Sequence, residues 1–253
     1  MSFALEDTMM PHLRLLLKLP FFAGLLLVMI GCQTSSPRGN TWERQLGPVP
    51  VANKVPPIAL LKEVNLKQDM IKLGTAGRKK VRPMKVRYIT IHSTQNYTGN
   101  AYNHALALKR GALTATKRPG GNRIGFLIWH FTTQDNVAIQ HLPTNEQGEH
   151  ADFDGPGNNY SIGIEMCEHH GNNLATTIDN TAKLTAYLMW EYQVPLGNVV
   201  PHYHWPRRGV NPPNKDCPHF LLENGRPGAT WRWYLNRVQA QYSRLVPGPA
   251  PKI

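Results

Sequence analysis

Two periodicities in the placement of apolar residues predict an α/β domain. Short alternating or apolar runs predict five strands, at Val86–His92, Ile124–Phe131, Val137–Leu142, Ser161–Cys167 and Val199–His202. Apolar residues at helical spacing predict helices at Asn100–Lys109, Ile178–Val194 and Ala229–Leu245. Strands interleaved with helices indicate a single domain with a central mixed β-sheet flanked by helices.

The N-terminal region has the pattern of an export signal. Arg14 and Lys18 precede the apolar run Leu19–Ile30, which is too short to span a bilayer comfortably. The run ends in Val28–Cys32, which resembles a bacterial lipobox, so we expect a lipoprotein signal peptide at 1–31 and lipidation of Cys32. Gln33, by analogy, favours the outer membrane facing the periplasm. An ordinary cleaved signal or a single membrane anchor is the alternative.

Composition divides the rest of the chain. Residues 33–57 are rich in Ser, Pro, Gly and Asn, which is typical of a flexible tether. We therefore expect a lipid-anchored tether and lead-in at 32–83, the main domain at 84–245 and a disordered tail at 246–253.

The net charge indicates which classes of partner the protein could bind. There are 28 basic and 16 acidic residues, a net charge of +12, which favours nucleic acid, anionic lipid or an acidic wall polymer. A solvated basic surface explains the same number, and the sequence has neither a long block of like charges nor a nucleic-acid motif. We therefore expect no nucleic-acid partner.

Three residues have the chemistry of a catalytic zinc site. His92 and His202 each end an apolar run, and Cys217 follows His202 by fifteen residues. Imidazole and thiolate both suit zinc, and three protein ligands leave one position open. The alternatives are a structural His92, a small buried Cys217, and His204 in place of His202, since we expect both of these histidines on one strand face.

Glu165 is a carboxyl within a strand that is otherwise apolar or small. In the predicted strand, Ile164 and Met166 point one way while Glu165 and Cys167 point the other. An unpaired carboxylate on a central strand is costly, so we expect Glu165 to face a polar cleft. A structural ion pair is the alternative, and Cys167 is predicted to be structural.

Five short motifs in order give these residues a family context. They are Ile89–Thr94, Trp129–Phe131, Gly148–Ala151, Ser161–Glu165, and Val200–His202 together with Lys215–Pro218. The region of about 84–222 resembles the zinc-dependent N-acetylmuramoyl-L-alanine amidases of the phage-lysozyme and peptidoglycan-recognition type.

The resemblance implies zinc on His92, His202 and Cys217, with Glu165 as the catalytic carboxylate and Lys215 as a stabiliser of the oxyanion. It further implies hydrolysis of the amide between N-acetylmuramic acid and L-alanine in peptidoglycan or muropeptides. His130, His150 and His204 are candidate substrate contacts. Ser93 stands where the family usually has a second histidine, and the loop from His202 to Cys217 looks longer than in compact relatives. We also expect the protein to be a monomer.

Two other functions fit the same pattern. One is a non-catalytic module that binds peptidoglycan with the same fold, and the other is an exported zinc peptidase that acts on wall stem peptides. The combination of Cys217, Glu165 and Lys215 favours the amidase.

Overall fold

A mixed β-sheet forms the centre of the domain, which confirms the predicted fold class. The computed structural model of the protein describes residues 41–50, 54–115 and 124–247. Its strands there are β1 (Leu66–Gln68), β2 (Tyr88–Ser93), β3 (Phe131–Thr133), β4 (Ala138–Gln140), β5 (Ser161–Met166) and β6 (Val199–Pro201). They lie in the order β1-β4-β3-β5-β2-β6, and each neighbouring pair is parallel except β3 and β4.

Strands β2 and β5 lie next to each other because both alternate apolar side chains with smaller or polar ones. Ile91 of β2 and Ile164 of β5 are fully buried in the main core. The register pairs Ile91 with Ile164 and His92 with Glu165. Because the carboxyl ends of parallel strands meet at one edge of a sheet, His92 and Glu165 lie side by side there.

Helices cover both faces of this sheet. The described α-helices are α1 (Thr41–Leu46), α2 (Ile58–Glu63), α3 (Ala101–Arg110), α4 (Pro156–Tyr160), α5 (Leu174–Tyr192) and α6 (Ala229–Ser243). Ile178 of α5 and Tyr234 of α6 join the main core on one face. On the other face, Ala105 of α3 packs in a smaller cluster with Cys167. The part of that face over β2, β5 and β6 carries the polar side chains described below.

The predicted strand Ile124–Phe131 is wrong, because strand β3 begins only at Phe131. The segment before it makes isolated bridges at Phe126 and Ile128. Gly125 has a φ of 83°, a left-handed conformation that interrupts strand alternation. Ile128 packs into an apolar cluster separate from the main core, so the apolar run reflects burial without strand pairing.

The other predicted elements differ mainly at their ends. Helix α5 begins earlier than predicted because the Asn173 side chain accepts a hydrogen bond from the Thr176 N–H at 3.0 Å. Strand β6 ends at Pro201, and a 3-10 helix follows at His202–His204. The prediction that His202 and His204 share a strand face is therefore wrong.

Part of the predicted lead-in is built into the domain. Strand β1 is the edge of the sheet and pairs with β4. Leu60 of α2 is fully buried against Ala186 of α5. The Trp42 indole of α1 donates a hydrogen bond to the Phe220 carbonyl at 3.0 Å. Packed structure thus begins before residue 84.

Several predictions fall on residues that the structure does not describe. They are the signal peptide at 1–31, lipidation of Cys32, and most of the tail at 246–253. Within that tail, the Val246 N–H donates to the Val55 carbonyl at 3.0 Å. No helix in the described part of the chain is both long enough and apolar enough to cross a membrane.

Candidate metal centre and active-site cleft

Three potential metal ligands converge at the carboxyl edge of the sheet. His92 lies near the end of β2, His202 directly follows β6, and Cys217 lies in the loop that leads back to them. One ligand atom of each lies within 4.8 Å of the others, and the three residues are 1%, 5% and 0% exposed. The pairing of β2 with β6 places the two imidazole centroids 4.6 Å apart.

The His202 ring is oriented as a ligand. Its Nε2 lies 3.2 Å from the Ala151 carbonyl oxygen, which can only accept, so Nε2 carries the proton. Its Nδ1 therefore has a lone pair, and this atom is buried without a hydrogen-bond partner among the described residues. Burial, with the nearby Lys215 charge, lowers the pKa of His202 to about 3. The neutral form that binds metals is thus favoured.

The Cys217 sulfur is held beside the histidines by the backbone of β2. The Ser93 N–H donates to Sγ at 3.3 Å. Burial and the neighbouring Glu165 raise the pKa of the thiol to about 12, against the opposing effects of Lys215 and Ser93. A bound cation reverses this preference, because a thiol that coordinates a metal loses its proton. Two imidazole nitrogens and one thiolate fit zinc and leave a fourth position open.

Glu165 is a buried carboxyl next to this ligand set. Its Oε1 lies 3.7 Å from His92 Nδ1, and its Oε2 is buried without a hydrogen-bond partner in the described structure. Burial raises the pKa of Glu165 to about 8, Lys215 opposes that shift, and Glu168 adds to it. A carboxyl with such a pKa can both take up and release a proton near neutral pH.

Two of these four side chains, Glu165 and His202, border a cleft of about 230 Å³. Its polar wall is formed by His150, Glu165, His202, Arg207 and Lys215. Lys215 makes no ion pair with another described residue, and its charge acts on His92, His202 and Glu165. An amide substrate in this cleft would meet a carboxyl, a cation and His202 of the ligand set together.

The three candidate substrate contacts lie in different places. His130 is fully buried, accepts from the Gly163 N–H at 3.0 Å and donates to the Glu146 carbonyl at 2.8 Å. Neither ring nitrogen is left for a substrate. His150 borders the cleft but contacts His92 at 3.0 Å. His204 is exposed and borders a second cavity, of about 500 Å³.

Sequence reasoning missed several residues of the cleft. Trp129 and Phe153 form part of its wall, and Arg207 adds a second cation. Arg207 donates to the carbonyl groups of Pro212 and Pro213, which holds the loop between the two ligands in place. The long basic and proline-rich segment between His202 and Cys217 is the signal that could have indicated a cleft-forming loop.

The fold and the site together define an α/β domain with a candidate metal-ligand set beside a buried carboxyl at the edge of its sheet. Residues 82–220 match the family described as N-acetylmuramoyl-L-alanine amidase (Amidase_2). The chain belongs to this family.

Two curated relatives are similar to this chain over most of its folded domain. XlyA of Bacillus subtilis (strain 168), an N-acetylmuramoyl-L-alanine amidase, is 39% identical over 163 residues, covering 63% of this chain and 48% of XlyA. CwlH of the same organism, also named as such an amidase, is 33% identical over 181 residues, covering 70% of this chain and 62% of CwlH. The chain thus spans about half to three fifths of the length of these curated relatives.

Solved structures show the same likeness. The catalytic domain of XlyA superposes with a TM-score of 0.55 at 36% identity, over 69% of this chain and 99% of that chain. A mutant endolysin from Bacillus subtilis gives 0.56 at 36% identity with the same coverage. The likeness covers nearly all of those two solved chains, which are shorter than this chain.

Proposed function

We propose that the protein is a zinc-dependent amidase that cleaves the bond between N-acetylmuramic acid and L-alanine in peptidoglycan or its fragments. The observation that carries the proposal is the buried His92, His202 and Cys217 set with the Glu165 carboxyl 3.7 Å from His92. Membership of the amidase family and the names of its relatives support the choice of bond.

The residues of the cleft divide the chemistry between them. Zinc, when held by His92, His202 and Cys217, supplies Lewis acidity at the scissile carbonyl. Glu165 accepts a proton from the attacking water and gives it to the leaving alanine nitrogen. Lys215 places its positive charge where the carbonyl oxygen becomes negative. The buried position of Glu165 lets it hold the proton between the two transfers.

The rest of the surface suits a wall polymer. The net charge of +12 favours contact with the carboxylates of wall peptides. The second cavity beside His204 shares Phe153 with the catalytic cleft, so the two form adjoining surfaces. We expect a long substrate to extend from the cleft toward His204.

We also propose that Cys32 is lipidated and that the mature chain is a monomer attached to the outer membrane on its periplasmic side. The lipobox-like Val28–Cys32 and Gln33 support this location. Labelled palmitate should enter the parent chain and not Cys32→Ala. A mature chain that begins at any residue other than Cys32 would refute the anchor.

Mass spectrometry of purified muropeptides tests the activity. The amidase should convert each muropeptide into a glycan with a free lactyl carboxylate and an intact peptide that begins with L-alanine. Release of single amino acids would instead identify a peptidase. Binding without any product would identify a non-catalytic module, and Glu165→Gln serves as the matched inactive control.

A further inference from the structure

We infer that His150 is a positioning residue, which fixes the tautomer and the ring orientation of His92 so that Nδ1 of His92 faces the metal. The inference rests on the proposed function only in taking His92 as a ligand. It assigns His150 a different role from that of a substrate contact.

A chain of hydrogen bonds determines where the protons lie. Nε2 of His150 is 3.2 Å from the Ser161 carbonyl oxygen, which can only accept, so Nε2 is the donor. Nδ1 of a neutral His150 is then an acceptor, and it lies 3.0 Å from Nε2 of His92. Nε2 of His92 must therefore carry its proton. The lone pair of His92 is left on Nδ1, the atom on the side of Glu165.

The His150 ring is held in a slot that only glycine leaves open. A Cβ added at Gly163 would lie 2.8 Å from three atoms of the ring, and a Cβ at Gly148 would lie 2.5 Å from its Cδ2. Contacts this short exclude any larger residue unless the ring moves. Both glycines thus have a physical reason to flank His150.

The backbone around His150 is fixed as well. The Asn158 side chain accepts from the N–H groups of His150 and Ala151, each at 2.8 Å. The Ala151 carbonyl accepts from His202. One short segment therefore orients both histidine ligands, the first through a side chain and the second through a backbone carbonyl.

A substrate role for His150 does not fit this arrangement. Both ring nitrogens are committed inside the protein, and the residue is 7% exposed. Partners of this kind around a metal ligand typically change metal affinity by roughly 10- to 100-fold when they are removed. We expect an effect of that size through His92.

Two substitutions separate the two hydrogen bonds of His150. His150→Asn keeps an acceptor near the Nδ1 position, facing His92, and loses the donor to Ser161. His150→Gln keeps a donor near the Nε2 position and loses the acceptor. Competition with a chelator should show near-parental zinc affinity for His150→Asn and roughly 10- to 100-fold weaker binding for His150→Gln. A merely structural His150 predicts equal losses or the reverse order.

The tautomer itself is measurable on the full chain, with and without zinc. Long-range proton–nitrogen NMR spectra of ¹⁵N-histidine protein should show His92 protonated at Nε2 in the parent and in His150→Asn. In His150→Gln we expect a mixture of tautomers. A parent His92 protonated at Nδ1, or zinc bound through Nε2, would overturn the inference. If the parent bound no zinc, the proposed function would fail, while the His92 tautomer would still decide the role of His150.

Discussion

The two faces of strands β2 and β5 are both buried, but one face is apolar and the other carries ionisable side chains. On the face toward α5, Ile91 and Ile164 are fully buried among apolar side chains. On the other face, the next residue is His92 in β2 and Glu165 in β5. Buried polar atoms such as theirs usually have hydrogen-bond partners. Two buried atoms in the cleft, His202 Nδ1 and Glu165 Oε2, have no partner in the described structure. The apolar face stabilises the fold. The polar face leaves these two atoms available to a ligand or substrate.

The largest expected effect comes from removing a ligand on the polar face. Cys217→Ala and His202→Ala should each lose stoichiometric zinc and all measurable amidase activity, because only two ligands remain. His204→Ala is the control, since His204 lies outside the ligand set. Metal analysis of the purified chains should give about one zinc per parent or His204→Ala chain. Zinc retained in His202→Ala but lost in His204→Ala would contradict the assignment.

Glu165→Gln should reduce chemistry without affecting either the metal or the fold. The amide keeps the shape of the side chain and removes the acid–base group. We expect turnover to fall by roughly 10²- to 10⁴-fold. Because the interaction matters mainly in the transition state, substrate affinity should change little.

The check on Glu165 combines three measurements on the same preparation. Turnover should fall while the zinc content and the melting temperature stay close to those of the parent. Near-normal turnover would place the base elsewhere. Loss of zinc or of the fold would make Glu165 a ligand or a structural residue.

The same contrast explains which features could be predicted from sequence. Strands β2 and β5 and helix α5 follow from local periodicity, because each buries a regular set of side chains. Strand β1 was missed because it has three residues and a mostly exposed pattern. The run that starts at Ile124 has the apolar pattern of a strand because burial in a second cluster gives the same signal.

The convergence of the three potential ligands could be predicted from sequence, whereas hydrogen bonds between residues distant in the chain could not. His92, His202 and Cys217 converge as the sequence predicted, although their roles in metal binding remain predictions. The bond between His92 and His150 joins residues 58 positions apart and needs the folded topology. Both ring nitrogens of His130 bond to other parts of the chain, which no local pattern reveals.

On the apolar face, Ile164→Ala should reduce stability without removing the metal. Deleting a fully buried isoleucine side chain leaves a cavity and costs about 2–5 kcal/mol in the free energy of unfolding. Denaturant titration should show this loss at an unchanged zinc content of the folded protein. If Ile164→Ala instead lost zinc at full stability, the two faces would not be separable.

The smallest expected effect concerns His141, a fully buried histidine outside the ligand set. The Trp129 indole donates to Thr132 Oγ1 at 2.8 Å, and the same hydroxyl oxygen lies 2.9 Å from His141 Nε2. Burial lowers the pKa of His141 to about 3, although Asp69 opposes the shift. Its neutral form is therefore the native one.

The sign of the pH effect follows from this lowered pKa. Below an unfolded value of about 6.5, the unfolded chain binds a proton that native His141 does not, so stability falls as the pH decreases. Between pH 7 and 5.5 this group should cost about 1 kcal/mol in the free energy of unfolding. His141→Gln keeps a side-chain amide that can hydrogen-bond to Thr132 and cannot titrate, so urea titrations should show a shallower loss of stability in the variant. Other groups, including His130, act equally in both chains, and parallel pH profiles would show that His141 is protonated in the native state.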